Sequence, residues 1–593
     1  MSQTRWAIVC WFAFVATAFL LPQIGVSSRW LQLLALIGIN TLLAQSMNLI
    51  GGYTGQISLG QAGVYAAGAY GSAVLSTKLH CPVWLSLPAG VLLATAVGFL
   101  VAYPAKRVRE FYLGMVTLGF GIVAFEILQY WAPVTGGFMG LSNIPSPTLR
   151  NLVLFGVPVS MQTYLALTLS LVVLFSWMKA NLVRSYIGRS FVAAEGSDMV
   201  ASSLGIRPDR TKHQAYVISS AWAGLAGGIY AHLTAFVSPD SFNLWTSVTI
   251  LVMAVFGGLR TLVGPVLGAT FFTLLPEFTQ GFERFQYLAY GVILMLSYIM
   301  LPRGIAGLIG ARPCYIDPRL DGLARPEAPP SSSIRPHQTD ALRVKGLAMQ
   351  FGGVQALKGV DMTVRAGTIH GLIGPNGSGK STMVNIITGV YQPTGGEIFY
   401  RGKPIHHLTM PGVAAMGIGR TFQNPQGHGD MSVRESVLTG AHMQFRSNVW
   451  ECLLRTPAAA AEELALLAAS DRLIEDADLT DCRNDLVKNL PYGRKRLAEI
   501  VRSLNARPDL LILDEPAAGL SEVELGHLAH LLGELRSQGL TIVLIEHHLD
   551  FLFRLIDDVT VLDSGNVIFH GPAAESRRDK NVIESYLGSY VAP

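Results

Sequence analysis

The stretch GLIGPNGSGKST at 371–382 decides the fold. Gly374, Gly379, Lys380 and Ser381 fit GxxxxGK[ST], with Pro375, Asn376, Gly377 and Ser378 between them and Thr382 after. An apolar, strand-like run (368–373) precedes the loop and a helix-like run (382–388) follows it, which is the context this motif needs. Glycines let successive backbone N–H groups close around phosphates at a helix N-terminus. Lys380 can neutralise the outer phosphates, and Ser381 can ligate Mg²⁺. The motif therefore predicts an α/β P-loop NTPase domain.

Working toward the C-terminus, two more apolar runs end in chemistry. The first, 510–513, is followed by Asp514 and Glu515; the second, 541–545, by Glu546, His547 and His548. Parallel strands that end at one edge of a sheet would bring these groups together over the phosphates. The first carboxylate suits Mg²⁺ and the second suits polarising an attacking water. Working toward the N-terminus, apolar alternation starts near 341. Before it lies a stretch, 311–340, containing Pro313, Pro318, Pro326, Pro329, Pro330 and Pro336 with Ser331, Ser332 and Ser333, which reads as a linker.

The remainder, 1–310, has a different character. Mean hydropathy over the whole chain is +0.39 with only 14% charged residues, and the apolar excess lies here. Windows of about 20 residues almost without charge are long enough to cross a ~30 Å hydrocarbon core. The expectation is a polytopic α-helical membrane domain with about ten spans, at 6–22, 30–50, 60–77, 83–103, 111–132, 160–179, 213–236, 245–259, 263–279 and 286–302. The first segment lacks a small-x-small cleavage site and reads as a retained helix. With the N-terminus inside, most Lys and Arg of the short loops, Lys106, Arg107, Arg109, Lys179, Arg184, Arg189 and Arg260 among them, fall on the cytoplasmic side. An even number of spans also returns the chain to that side after Arg303, where a nucleotide-using domain must be.

Gly51, Gly52 and Gly55 interrupt an apolar stretch, and read either as part of a pathway or as a cytoplasmic turn. Gly224 and Gly228, and Gly68 and Ser72, have the four-residue spacing that allows close helix packing. Glu126 is the clear intramembrane acid and is expected to face the bundle interior or water. The polar stretch 181–212, with a helix-like middle at 191–204, suits docking against another domain better than a bare connector, since two neighbouring spans need only a short turn. A net charge of +4, with basic residues dispersed, argues against nucleic acid. Five scattered cysteines form no disulfide framework or zinc pattern.

The order of these motifs, with Gln423 in RTFQN, LPYGRKR at 490–496 and AAGLS after Glu515, resembles the ABC ATPases over essentially all of 341–593. The strings FGGVQALKGV, GRTFQN, LDEPAAGL, LIEHH and ESYLG are similar to the cassettes of branched-chain amino-acid (Liv-type) importers. In the first half, NLIGGYTGQISLGQAG, REFYLGMVTLGFG, TGGFMGL, SYIGRSFVA, AGLAGGIYA and GGLRTLVGPVLGA resemble the Liv permease. The resemblance implies a permease (1–310), a linker (311–340) and an ABC cassette (341–593) on one chain, hydrolysing ATP with Mg²⁺ to drive uptake of branched-chain or other hydrophobic amino acids. Urea or short amides are the alternative cargo, and a non-hydrolysing nucleotide-gated protein is the rival from another class.

The same resemblance implies that Glu515, His547 and Gln423 are catalytic. Phe351 would stack on adenine, and the loop from Gly374 to Thr382 would hold the phosphates. Leu490, Tyr492 and Gly493 would cap the nucleotide of a partner cassette, and Ser381, Gln423 and Asp514 would bind the metal. Implied partners are a second permease, a second cassette and an extracytoplasmic solute-binding protein, in the lipid of the cell (inner) membrane with the cassette in the cytoplasm. Departures from the family pattern are Pro491 and Arg494 in the signature loop, Ser521 where Asp or Asn is common, His548 where Asp is common, and Arg260 where Gly is common.

Overall fold

A computed structural model describes residues 27–105, 110–278, 286–311, 313–320, 340–423 and 429–587. The expected span at 6–22, the basic residues Lys106, Arg107 and Arg109 and most of the stretch 311–340 lie outside the described residues. The chain divides into two compact units, 1–191 with 209–319, and 192–208 with 320–593.

The first unit is helical: α1 (Ser28–Met47), α2 (Gln61–Lys78), α3 (Val83–Ala105), α4 (Glu110–Tyr130), α5 (Met161–Val183), α6 (Tyr186–Gly196), then α7 (Asp198–Ser203), which belongs to the second unit, α8 (Pro208–Thr234), α9 (Leu244–Gly257), α10 (Gly264–Phe278) and α11 (Gln286–Met300). Among the described residues four segments are long and apolar enough to cross a membrane: 28–52, 83–104, 112–130 and 161–183. The helix α9 is apolar but has only 14 residues.

Small residues set the helix packing. A Cβ built on Gly68 would lie 2.2 Å from the Gly224 carbonyl oxygen, and one on Gly227 would lie 2.2 Å from that of Tyr65, so α2 and α8 approach backbone to backbone. Gly68→Ala should therefore cost about 1–3 kcal/mol by overpacking. Gly119→Ala on α4, where a Cβ would meet nothing within 4 Å, should cost nothing. The thermal midpoints of the two purified full-length variants check this.

The glycine-containing interruption after α1 is neither a plain turn nor regular helix. A π-helical turn (Asn48–Gly52) ends α1, and irregular backbone follows as far as Gly60. Its polar groups are buried and paired inside the bundle: Lys179 Nζ donates to Asn48 Oδ1 (2.9 Å), and Asn48 Nδ2 to the Gly258 carbonyl (3.2 Å). Gln61 Nε2 donates to Ser46 Oγ (2.8 Å). Backbone of this kind is tolerated at membrane depth because protein surrounds it. Arg260 stands against this turn with φ +61°, the left-handed conformation glycine adopts without strain. Its Nε donates to the Gly52 carbonyl (2.7 Å), and its own carbonyl accepts from Tyr53 Oη (2.9 Å).

Glu126 is exposed on α4, so of its two expected surroundings, bundle interior or water, the interior is the one it does not take. The buried positions of that helix include Leu128, two residues on and so roughly 200° around the axis.

The second unit is a nucleotide-binding α/β fold. A four-stranded antiparallel sheet contains β1 (Asp340–Phe351), β2 (Val354–Arg365) and β4 (Gly395–Tyr400), with the two-residue strand Lys403–Pro404. A six-stranded sheet has the order β9-β8-β3-β7-β6-β5, from β3 (Ile369–Ile373), β5 (Ile418–Arg420), β6 (Leu510–Asp514), β7 (Thr541–Ile545), β8 (Asp558–Asp563) and β9 (Asn566–Pro572). The strands β3, β6 and β7 are buried at every position and run parallel, with Ile545 paired to Asp514 on one side and to Leu372 on the other. Their carboxyl ends therefore stop level, which is what places the chemistry.

Candidate functional site

From β3 the chain turns through the glycine loop into α12 (Lys380–Ile387). Gly374, Gly377 and Gly379 have φ of +152°, +82° and +104°, and a Cβ on Gly374 would lie 2.1 Å from the Leu562 carbonyl oxygen. At Gly374 a side chain is excluded on both counts, and at Gly377 by backbone conformation alone. Lys380 Nζ donates to the carbonyls of Gly374 (2.7 Å) and Pro375 (2.9 Å), so the ammonium sits within the loop. Burial lowers its pKa, opposed by the nearby carboxylates of Glu515 and Asp514. Ser381 and Asn376 are exposed, while Ser378 is buried.

Across the strand ends, Glu515 is held from two sides. Gln423 Nε2 donates to its Oε2 (3.0 Å), and His547 Nε2 lies 3.1 Å from its Oε1. Three residues from separate segments thus meet at one carboxylate. Glu515 has φ +50°, which for a non-glycine residue costs of order 1–3 kcal/mol. Its N–H donates to the Ile545 carbonyl (2.9 Å), locking β6 to β7 at the turn. Asp514 is buried and lies 3.3 Å from Arg420 Nη2, whose other amino group donates to Asn385 Oδ1 (2.7 Å) and Thr388 Oγ1 (2.9 Å) on the phosphate-loop side. Burial raises the Asp514 pKa and Arg420 opposes that rise.

Several groups that motif reading passes over hold this arrangement. The helix α13 (Tyr492–Asn505) sends Arg496, fully buried, to the carbonyls of Phe422 and Asp514 and to Glu499 Oε2 (2.8 Å). Glu499 Oε1 accepts from the Phe422 N–H (3.0 Å). Phe422, next to Gln423, thus has its backbone clamped from α13, and its side chain packs with Met410 and with Val200 of α7 in one buried cluster. That is how residues 192–208 belong to the second unit, as the docking reading of 191–204 expects. The buried Glu546 accepts from the N–H groups of Ala517 (2.6 Å) and His547 (3.2 Å), tying the turn after Glu515 to His547. A sequence signal existed for one of these pairs: Arg496 and Glu499 are opposite charges at i,i+3.

The remaining predicted residues are more dispersed. Phe351 is exposed, with its ring edge-on to Tyr391 at 5.3 Å, and Tyr391 carries no motif. Leu490 belongs to the cassette's own core, so its side chain is not available to cap another subunit's nucleotide. Tyr492 is exposed and lies over Gly519, where a Cβ would meet its ring at 3.0 Å. Gly493 abuts Glu524, whose carboxylate oxygen would lie 2.2 Å from an added Cβ. Pro491 is the N-cap of α13 without a side-chain bond, and Arg494 pairs with Asp481 at 2.5 Å.

Two departures from the family pattern have a local cause. Ser521 forms a capping box with Glu524 at the start of α14 (Glu522–Ser537). His548 Nδ1 accepts from the Phe551 N–H (3.3 Å) at the start of α15 (Leu549–Phe553). Both positions need a short-range acceptor at an N-cap, which Asp also supplies. His548→Asp should leave thermal stability unchanged, whereas His548→Ala should cost about 1 kcal/mol, read from the cassette's unfolding midpoint.

A phosphate loop, an acid-bearing strand edge and a signature helix on an α/β unit, joined to an apolar helical unit, define an ABC transporter chain. Residues 29–301 match the permease component of the branched-chain amino acid transport system, and residues 357–518 the ABC transporter ATPase. The cassette half is 38% identical over 248 residues to the high-affinity branched-chain amino acid transport ATP-binding protein BraF of Pseudomonas aeruginosa, covering 42% of this chain and 97% of that protein. It is 37% identical to LivG of Escherichia coli over the same shares. The permease half is 33% identical to the E. coli permease protein LivM, covering 47% of this chain and 70% of LivM. A solved nucleotide-free ABC cassette is 30% identical over 42% of this chain and 99% of its own, with a TM-score of 0.37. The chain belongs to the Liv-type branched-chain amino-acid ABC transporter family, as a fusion of a LivM-like permease with a LivG-like ATP-binding protein. It is a membrane protein that binds ATP and couples its hydrolysis to transport.

Proposed function

We propose that this chain supplies one permease and one cassette of an importer that takes up branched-chain amino acids. The observation that carries the cargo is that both halves are separately similar to proteins named for that cargo. Urea and short amides are the weaker reading. The working divisions are 1–310 for the permease, 311–340 for the linker and 341–593 for the cassette. A second permease, a second cassette and an extracytoplasmic receptor complete the assembly in the inner membrane, with the cassette in the cytoplasm.

In the proposed chemistry the Gly374–Thr382 loop and Lys380 hold the ATP phosphates, and Phe351 takes the adenine. Glu515 orients and polarises water, while Gln423 and His547 fix its two carboxylate oxygens. The hydroxyl of Ser381, the amide oxygen of Gln423 and the carboxylate of Asp514 are hard oxygen donors of the kind Mg²⁺ takes. Bound there, Mg²⁺ would neutralise charge on the phosphates. Tyr492, Gly493 and the backbone of Leu490 would face the nucleotide of the second cassette. Motion would pass from Phe422 to the permease through residues 191–204.

The test is uptake of radiolabelled leucine, isoleucine, valine and urea by cells expressing the chain with its genomic partners. Uptake of the three amino acids that each competes for is expected. Uptake of urea without uptake of the amino acids would replace the cargo.

A further inference from the structure

We propose that the permease unit holds a cargo-binding vestibule between α1, α9, α10 and the turn that precedes α9, shaped for an α-amino acid with an aliphatic side chain. This rests on the branched-chain reading above and locates the cargo within it.

The starting point is the length of α9. Fourteen residues give about 21 Å of helix, short of a ~30 Å hydrocarbon core. The chain makes up the difference with the 3₁₀ turn Pro239–Phe242, which folds inward. Phe242 is 2% exposed, with its ring 5.0 Å from that of Tyr65 and 5.8 Å from that of Tyr70 on α2. Irregular backbone at membrane depth persists only where protein covers it or where it lines a cavity.

Here it does line one. Two adjoining cavities of about 230 and 360 Å³ share Asn40, Thr246, Thr249 and Met253 as walls. Leu36, Leu43, Ile250 and Met253 make one side apolar, which an aliphatic chain would cover. The other side is polar. Asn40 Nδ2 donates to Thr273 Oγ1 across α1 and α10 (2.8 Å), and its amide oxygen has no partner among the described residues. Asp240, on the inward turn, lines the larger cavity and is exposed. Its backbone carbonyl accepts from Asn243 (3.0 Å), but its carboxylate has no partner among the described residues. A carboxylate and an amide oxygen beside an apolar wall suit an ammonium group attached to an aliphatic chain. Urea offers neither a cation nor an apolar chain. Sites of this form, mostly apolar with a few placed polar groups, are what small-molecule pockets look like.

The experiment uses right-side-out vesicles from cells that express the full chain with its partners, with uptake counted per assembled complex. The probes are radiolabelled leucine, valine and urea. Asp240→Asn and the cavity-filling Thr249→Trp should each lower leucine uptake at least about tenfold. Thr249→Leu, a smaller intrusion, should raise the valine-to-leucine uptake ratio, a quantity that a loss of folded protein does not shift. Gly119→Ala, which lines neither cavity and adds a Cβ that meets nothing within 4 Å, should match the parent chain. Parental leucine uptake and an unchanged ratio in all three cavity variants would overturn the vestibule while leaving the cargo reading intact. Absence of leucine and valine uptake by the parent chain would remove the cargo reading, and the vestibule's ligand with it.

Discussion

Replacing Glu515 with Gln is expected to lower ATP hydrolysis by the assembled complex about 100- to 10,000-fold while leaving ATP binding in place. The amide keeps the shape of the side chain and one acceptor but cannot take up a proton from water. Its neighbours explain why the loss should be this specific: Gln423 and His547 fix the two carboxylate oxygens at 3.0 and 3.1 Å, and the backbone at 515 is locked to Ile545. In the proposed chemistry nucleotide binding is the task of the glycine loop and Lys380, whose hydrogen bonds do not pass through residue 515. Hydrolysis and nucleotide affinity measured together on Glu515→Gln check this, and near-parental turnover would remove Glu515 from the base role.

The second large effect is expected at the last residue of the LPYGRKR string, to which the motif assigns no role. Arg496→Met should cost the cassette about 3–5 kcal/mol, because it leaves the buried Glu499 without the cation that bonds it at 2.8 Å, with only Arg502 remaining at 3.8 Å. In a unit of this size that corresponds to a fall of about 10 °C in the cassette's thermal midpoint. Adding Glu499→Leu and Arg502→Met should restore most of the stability, since replacing every member of a buried ionic cluster by apolar groups is often neutral. Activity should not return with it. Phe422 would have lost both the acceptor for its N–H and the donor to its carbonyl, and Gln423 follows directly. A triple variant that regains both stability and turnover would show Arg496 to be structural only.

Much of this site was legible in the sequence because its signals are local. The glycine spacing needs only its own backbone geometry, and the apolar runs ending at Asp514 and Glu546 announce strand ends. Their meeting at one edge follows from parallel pairing. What could not be read depends on packing between distant segments. The contact of Arg496 with the carbonyls of Phe422 and Asp514 requires knowing which face of α13 meets β5 and β6. Leu490 was assigned to a partner's nucleotide from its place in the signature string, yet the cassette's own core takes the side chain. Glu126 was expected to face the bundle interior or water because charge in lipid is costly, and the helical phase set by Leu128 excludes the interior. The odd residues Ser521 and His548 looked like losses and are N-caps.

In the membrane half, four of the ten expected spans coincide with described helices long and apolar enough to cross a membrane, but the interior of that half did not follow from hydropathy. The π-helical turn at Asn48–Gly52 and the inward turn at Pro239–Phe242 leave no periodic trace, since each is a break in periodicity. Only the glycine interruption hinted at the first, and the short apolar run of α9 at the second.

The central claim is that this chain couples ATP hydrolysis to the import of branched-chain amino acids. The most direct measurement is the ATPase rate of the complete complex in lipid vesicles, with its receptor present, with and without leucine. The account predicts a rate that rises when the receptor carries leucine and does not rise with urea. A rate indifferent to leucine at saturating receptor would contradict it.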